Sequence, residues 1–279
     1  MTRLYYDIVK DIPDSLRTLD ESLLKSTGLN LFELAARAAG VESRVLSREI
    51  GNYVAAVVPI TSGQGIITGF SEAVNAILWH IGIESYITRE PDVAGIGEAL
   101  TSGADIFFAA DDHKFLAANL NSSVVIDNSQ ATAAGFVQAL AAAAEYRGAN
   151  LQGEPVLVIG LGPVGSHAVC ELEKLGARVR VFDIDTEKMN RFTRLNKDVT
   201  PAGEIGAALL EANYVLDATP APDIISEEQM RREMVVSCPG VPHGLTDGAL
   251  AAAGTRFIHD NLPIGVAVMA LRSISNMWD

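Results

Sequence analysis

Apolar residues recur at helical spacing over residues 14–26 (DSLRTLDESLLKS), where Leu16, Leu19, Leu23 and Leu24 share a face and Gly28 ends the element. A second helix is expected at 30–39, with Asn30 as its N-cap. The period then changes. VAAVVPI (54–60) is a continuous apolar run of strand length, the pattern of a parallel strand covered on both faces. Beyond it the chain alternates: helix 71–81, strand 84–88, helix 95–104, strand 105–112, helix 114–120 and strand 124–127. Such alternation predicts a parallel open sheet.

An alanine-rich helix follows at 131–146, and RGANLQGEP (147–155) interrupts the pattern with two glycines and a proline. A domain boundary is expected there. The second half restarts with PVLVIGLGPVGSHAVCELEKLGARVRVFDID (155–185), which reads as strand, tight glycine turn, helix and strand. Further strands are expected at 214–219, 234–240 and 256–261, and a closing helix at 264–277. There is no clear internal repeat. The expected fold class is α/β with two domains joined by a long helix. Residues 1–147 form a helix-bearing substrate and catalytic domain, and residues 148–279 form a Rossmann dinucleotide-binding domain.

Composition narrows the partners. The net charge is −14 over 279 residues and no basic stripe is present, which argues against nucleic acid and anionic membranes. No apolar run reaches the ~18 residues of a transmembrane helix. The opening MTRLYYDIVKDIP carries charge throughout, so no signal peptide is expected. Cys170 and Cys238 belong to no CxxC pair and are expected as free thiols in a reducing cytoplasm. His80, His113, His167, His243 and His259 lack ligand spacing, so no metal is expected.

Two glycine loops carry the candidate chemistry. GLGPVG (160–165) follows a buried strand and opens a helix, which is the setting a dinucleotide fingerprint requires. Gly160 permits the turn, Gly162 lets backbone approach a pyrophosphate, and Gly165 lets the helix pack on the strand. The diphosphate would sit on the helix N-terminus. Asp183 ends the next strand, where an acid grips a ribose and repels a 2′-phosphate, so NAD is preferred to NADP. FAD and a Rossmann shape without ligand are the alternatives. Three further strand ends face the same crevice: Asp217-Ala218-Thr219-Pro220, Cys238-Pro239-Gly240 and Asp260-Asn261.

The earlier loop, TSGQG (61–65), lacks the lysine of a phosphate-binding P-loop. Its hydroxyls and backbone N–H groups suit a carboxylate or a polar amide, whereas the alternative is a strand-to-helix turn capped by Ser62. In AADDHK (109–114), Asp111 and Asp112 point opposite ways on an extended chain. One is expected to cap the helix at 114–120, and the other to hold an amine or move a proton.

These stretches carry a resemblance. VVPITSGQGIITGFS, PDV (91–93), ADD followed by FLA (115–117), VIGLGPVG, FDID, DATP, the PG-P around Pro239 and IG (264–265) match, in order, the PylD family of dehydrogenases, which complete pyrrolysine biosynthesis. The resemblance runs from about residue 4 to 270. It implies two domains facing each other across a cleft, and NAD as hydride acceptor. It also implies a small-molecule substrate, 3-methyl-D-ornithine joined by an amide to the ε-amine of L-lysine. Oxidation at the terminal amine carbon, loss of ammonia and closure by the α-amine would form the pyrroline ring. By resemblance, Leu4, Ile60, Ser62, Asp111 and Asp260 approach the substrate, with Asp111 in the catalytic role. The family form has glutamate and proline where Asp260 and Asn261 stand. The expected cofactor contacts are Gly160, Leu161, Gly162, Pro163, Val164 and Gly165, then Asp183 and Ile184, then Ala218, Thr219, Pro220, Cys238 and Pro239. Three alternatives stay open: another amino-acid substrate, a folate-like substrate, and a non-catalytic NAD sensor. A homodimer through the apolar terminal helix and packing of that helix within its own chain are equally open.

Overall fold

A computed structural model describes residues 4–275. The chain divides into two compact units. The first holds the chain up to Glu21, then Asn30–Gly135, and the segment from Leu262 onward; the second holds Ser22–Leu29 and Phe136–Asn261.

In the first unit the helices are α1 (Tyr6–Val9), the start of α2 (Ile12–Thr27), α3 (Leu31–Ala39), α4 (Ser43–Glu49), α5 (Phe70–His80) and α6 (Asp92–Thr101). Asn30 caps α3 as the sequence predicts. Its side chain accepts the Glu33 N–H at 2.9 Å, and Glu33 accepts the Asn30 N–H at 3.0 Å. The strands β1 (Val54–Val58), β2 (Glu84–Ile87), β3 (Ile106–Ala110), β4 (Phe115–Asn119) and β5 (Val125–Asp127) form one sheet in the order β2-β1-β3-β4-β5. β1 runs parallel to β2 and β3, but β4 is antiparallel to both β3 and β5.

The expected helix at 114–120 is therefore a hairpin strand, and the sheet is mixed rather than wholly parallel. Phe115, Ala117 and Asn119 are buried in alternation with half-buried neighbours, a period of two that outweighs the helix preference of alanine.

Two later helices complete this unit. α7 (Asn128–Tyr146) carries the cut between the units at Gly135, and α12 (Pro263–Ser275) is buried along nearly its whole length. The two helices approach at small residues. A methyl on Gly135 would lie 2.4 Å from Ile264 Cγ2, and one on Gly265 would lie 2.5 Å from Thr132 Oγ1. Asn119 donates to the Ser273 carbonyl at 2.9 Å, tying α12 to β4. The terminal helix thus packs within its own chain, in the unit containing the N-terminal half, whereas the sequence pattern groups it with residues 148–279. Residues 276–277 of the expected closing helix lie outside the described residues.

The second unit contains β6 (Pro155–Ile159), α8 (Pro163–Lys174), β7 (Arg178–Phe182), α9 (Thr186–Leu195), β8 (Thr200–Pro201), α10 (Ile205–Glu211), β9 (Tyr214–Asp217), β10 (Val235–Cys238), α11 (Asp247–Ala253) and β11 (Phe257–His259). All six strands are parallel, in the order β11-β10-β9-β6-β7-β8. Read from β8, this is the 3-2-1-4-5-6 order of a Rossmann sheet, and the order reverses between β6 and β9. The carboxyl ends of those two strands flank the place where such sheets bind ligands.

Candidate active site

Gly160 leaves β6 with φ +88°, a conformation that glycine adopts without strain. A methyl on Gly165 would lie 1.8 Å from the Gly160 carbonyl oxygen, so α8 touches the strand where only hydrogen fits. Gly162 is the N-cap of α8, Pro163 is its first residue and Val164 follows. A methyl on Gly162 would meet no atom within 4 Å. The loop therefore combines a tight turn, close helix packing and open space at the helix start, and it fits a dinucleotide pyrophosphate.

Asp183 stands directly after β7 and is only 9% exposed. Its Oδ1 accepts the Asp185 N–H at 2.9 Å, and its Oδ2 accepts the Leu161 N–H at 2.8 Å. Lys188 Nζ donates to the same Oδ2 at 2.9 Å. Burial alone would raise this carboxyl. The Lys188 ammonium and the two N–H donors outweigh it and hold the group below the usual carboxylate range. Ile184 is 92% exposed beside it, an apolar side chain open to solvent at the end of β7.

Asp217 ends β9 and is fully buried. Its Oδ1 accepts the Thr219 N–H at 3.1 Å and the Thr219 hydroxyl at 2.8 Å, which shapes the turn through Ala218 and the exposed Pro220. Burial pushes this carboxyl up, against those hydrogen bonds. The Thr219 turn lies against the glycine loop: a methyl on Gly160 would lie 2.7 Å from Thr219 Cγ2.

Cys238 reaches the same sheet edge by its backbone, next to the half-buried Pro239. Its thiol turns inward, 3.6 Å from Asp217 Oδ2, and burial pushes it well above the ordinary range. The Cys238 carbonyl accepts from His259 Nδ1 at 2.8 Å. Asp260 follows at the end of β11, half-buried. Cys170 and Cys238 are both free.

In the other unit, the TSGQG turn is held from two sides. Asp92 accepts the Thr61 N–H at 2.8 Å and the Thr61 hydroxyl at 2.5 Å. Asp92 sits in the left-handed region at φ +55°, and its own N–H donates to the Pro59 carbonyl at 2.9 Å. Asp112 accepts the Gln64 N–H at 2.8 Å, and a methyl on Gly63 would lie 2.1 Å from Asp112 Oδ2. Gly65 donates to the Ser62 carbonyl.

Ser62 caps no helix, since α5 begins eight residues later with Gly69 as its N-cap. The N–H groups of Thr61, Gln64 and Gly65 serve the fold, and two carboxylates flank the turn. Ile60 is half-buried at its entrance, and Leu4 is half-buried just before α1.

With no helix at 114–120 to cap, Asp111 closes the β3–β4 hairpin. Its Oδ1 accepts the N–H groups of His113 and Lys114, each at 2.8 Å. Its Oδ2 takes no hydrogen bond from the described residues. The Lys114 and His113 N–H groups hold this exposed carboxyl below the usual range. Lys114 itself pairs with Asp127 at 2.6 Å. Pattern reading did not find Asp92, Asp112 and Lys188 as partners of these loops. Asp92 lies in the quoted PDV motif, and Lys188 lies in the first turn after FDID.

Among the described residues, no group of three or more histidine, cysteine, aspartate or glutamate side chains could hold a metal ion, and no helix is long and apolar enough to cross a membrane.

Comparison with known proteins shows what the whole chain is similar to. A family model described as the N-terminal domain of the pyrrolysine biosynthesis protein PylD matches residues 9–126. Pyrrolysine synthase of Methanosarcina acetivorans is 30% identical to this chain, over 96% of it and 98% of that protein. The Methanosarcina barkeri enzyme of the same name is 31% identical, over 96% of this chain and 97% of its own. Among solved structures, quinate dehydrogenase from Corynebacterium glutamicum in complex with NAD has a TM-score of 0.51 at 15% identity, covering 80% of this chain and 94% of that one. At that identity the likeness speaks to fold alone.

Proposed function

Because the chain belongs to the PylD family of pyrrolysine biosynthesis, we propose that it is the NAD-dependent oxidoreductase that acts on Nε-(3-methyl-D-ornithyl)-L-lysine and closes the pyrroline ring. The observation that carries this reading is the similarity to two pyrrolysine synthases over 96% of the chain, which takes in both loop systems.

NAD, when bound, supplies the hydride acceptor; Gly160, Gly162 and Gly165 would hold its pyrophosphate, and Asp183 with Ile184 its adenosine. The turns at Ala218, Thr219 and Pro220 and at Cys238 and Pro239 would lie along the rest of it. Leu4, Ile60, Ser62 and Asp260 are assigned to the substrate.

Asp111 has the chemistry to take the terminal amine. One oxygen is fixed by two N–H donors and the other is open. A primary amine has a pKa near ~10, and a carboxylate beside it favours the ammonium still further. Hydride departure needs the neutral amine, whose lone pair drives it. Asp111 therefore binds the ammonium and must pass its proton to water before oxidation. The low-lying Asp111 carboxyl makes it a poor resting place for that proton, so relay rather than storage is its role.

Loss of hydride leaves an iminium carbon. Water adds, ammonium leaves, and an aldehyde remains. The ornithine α-amine then attacks the aldehyde carbon and expels water, a step favoured because both groups belong to one molecule. The two free thiols fit a cytoplasmic enzyme.

The test is incubation with NAD and the lysine-linked methylornithine, following NADH absorbance and product mass. NADH together with a ring product is expected. NADH without a ring points to another substrate, and cofactor binding without NADH points to a sensor.

A further inference from the structure

The acid that favours NAD over NADP in sequence terms is not a bare carboxylate. Asp183 Oδ2 already holds the Leu161 N–H at 2.8 Å and the Lys188 ammonium at 2.9 Å, and Oδ1 holds the Asp185 N–H at 2.9 Å. A carboxylate offers about four lone-pair sites, so one remains for a ribose diol that presents two donors. The ammonium is the displaceable donor of the three, because the other two are backbone groups of the loops themselves. Lys188 reaches Asp183 because Asp185 caps α9, accepting the Lys188 N–H at 2.9 Å and setting Lys188 in the first turn. A cation in that turn opposes the helix dipole. The Asp183 carboxylate compensates it.

We propose that Lys188 is a specificity-determining residue of the dinucleotide site. Its ammonium competes with the ribose hydroxyls for Asp183 Oδ2 and offers a counter-charge to a 2′-phosphate, and so narrows the preference for NAD over NADP. This rests on reading the 160–165 loop as a dinucleotide site, as set out under the proposed function.

Equilibrium titration of the full-length protein with NADH and with NADPH, followed by nucleotide fluorescence, tests it without turnover. In Lys188→Met the diol gains both carboxylate oxygens and the phosphate meets an unscreened charge. The ratio of NADPH to NADH dissociation constants should rise roughly two- to fivefold, the scale of a partly exposed charge interaction. In Asp183→Asn the repulsion is removed while Lys188 remains, and the ratio should fall. Lys188→Arg, which keeps the cation, should stay near wild type and serves as the control for folding. A Lys188→Met ratio within twofold of wild type, or lower, would overturn the inference while leaving the dinucleotide site intact. Failure of the wild-type protein to bind either nucleotide would overturn the site reading, and this inference with it.

Discussion

Gly162→Ala separates the cofactor site from the fold. Gly162 has φ −66° and ψ −174°, which any residue adopts, and an added methyl meets no atom within 4 Å. Two small effects on stability oppose each other. Alanine restricts the unfolded chain, a gain of about 0.4–1 kcal/mol. It is also a poorer N-cap than glycine, a loss of roughly the same size. The melting temperature should therefore stay within about 2 °C of wild type. Binding should respond differently, because the methyl fills the space above the helix start where the pyrophosphate would rest. Each charge-assisted hydrogen bond lost there is worth about 1.5–3 kcal/mol. The NADH dissociation constant should then rise roughly 10- to 150-fold. Fluorescence titration and a thermal melt on the same sample provide both numbers. NADH affinity within twofold of wild type, with an unchanged melt, would show that no pyrophosphate lies against Gly162.

Gly165→Ala should do the reverse. Its methyl would lie 1.8 Å from Gly160 O and 2.9 Å from Gly160 C, both backbone atoms, so α8 must move off β6 at a cost of about 1–3 kcal/mol or more; an unchanged urea midpoint would contradict that packing. Asp92→Ala removes both hydrogen bonds to Thr61 and should raise the KM for the proposed lysine-linked methylornithine severalfold, with the NADH dissociation constant unmoved; a wild-type KM would take the 61–65 turn out of substrate binding. The Asp111 carboxyl is held below its ordinary value by the Lys114 and His113 N–H groups, so its stabilisation is complete above the unfolded pKa near ~4 and is lost as pH falls through the lower, folded value. Asp111→Asn should thus be slightly less stable than wild type near neutral pH, by under about 1 kcal/mol for so exposed a group, and the difference should close in acid. In the same variant, activity retained at high pH would exclude an essential proton carrier.

What the residue pattern reveals depends on how far apart the interacting groups lie. The glycine loop, Asp183 and the Asn30 capping box rest on contacts within one supersecondary unit, and each is readable from spacing. The strand at Phe115–Asn119 is not, because its short run of apolar and alanine residues suits a helix until β3 and β5 lie on either side of it. α12 is apolar on every face from Pro263 to Leu271, which announces burial without saying against what. Only the fold shows it beside α7, where Gly135 and Gly265 admit the close approach.

The same limit applies to the acids. Residue type identifies Asp92, Asp111, Asp112 and Asp183 as carboxylates, but their chemistry depends on which lone pairs are already taken. Asp92 and Asp112 use oxygens to hold a turn 31 and 48 residues away in sequence. Asp111 spends one oxygen on its own hairpin and keeps the other open. Asp183 shares an oxygen with an ammonium five residues on. Lys188 could have been suspected from the sequence, since a lysine in the first turn of a helix needs a nearby anion to offset the dipole. A preference for NAD inferred from an acid at a strand end therefore holds only as far as that acid lacks a counter-ion, and here it has one.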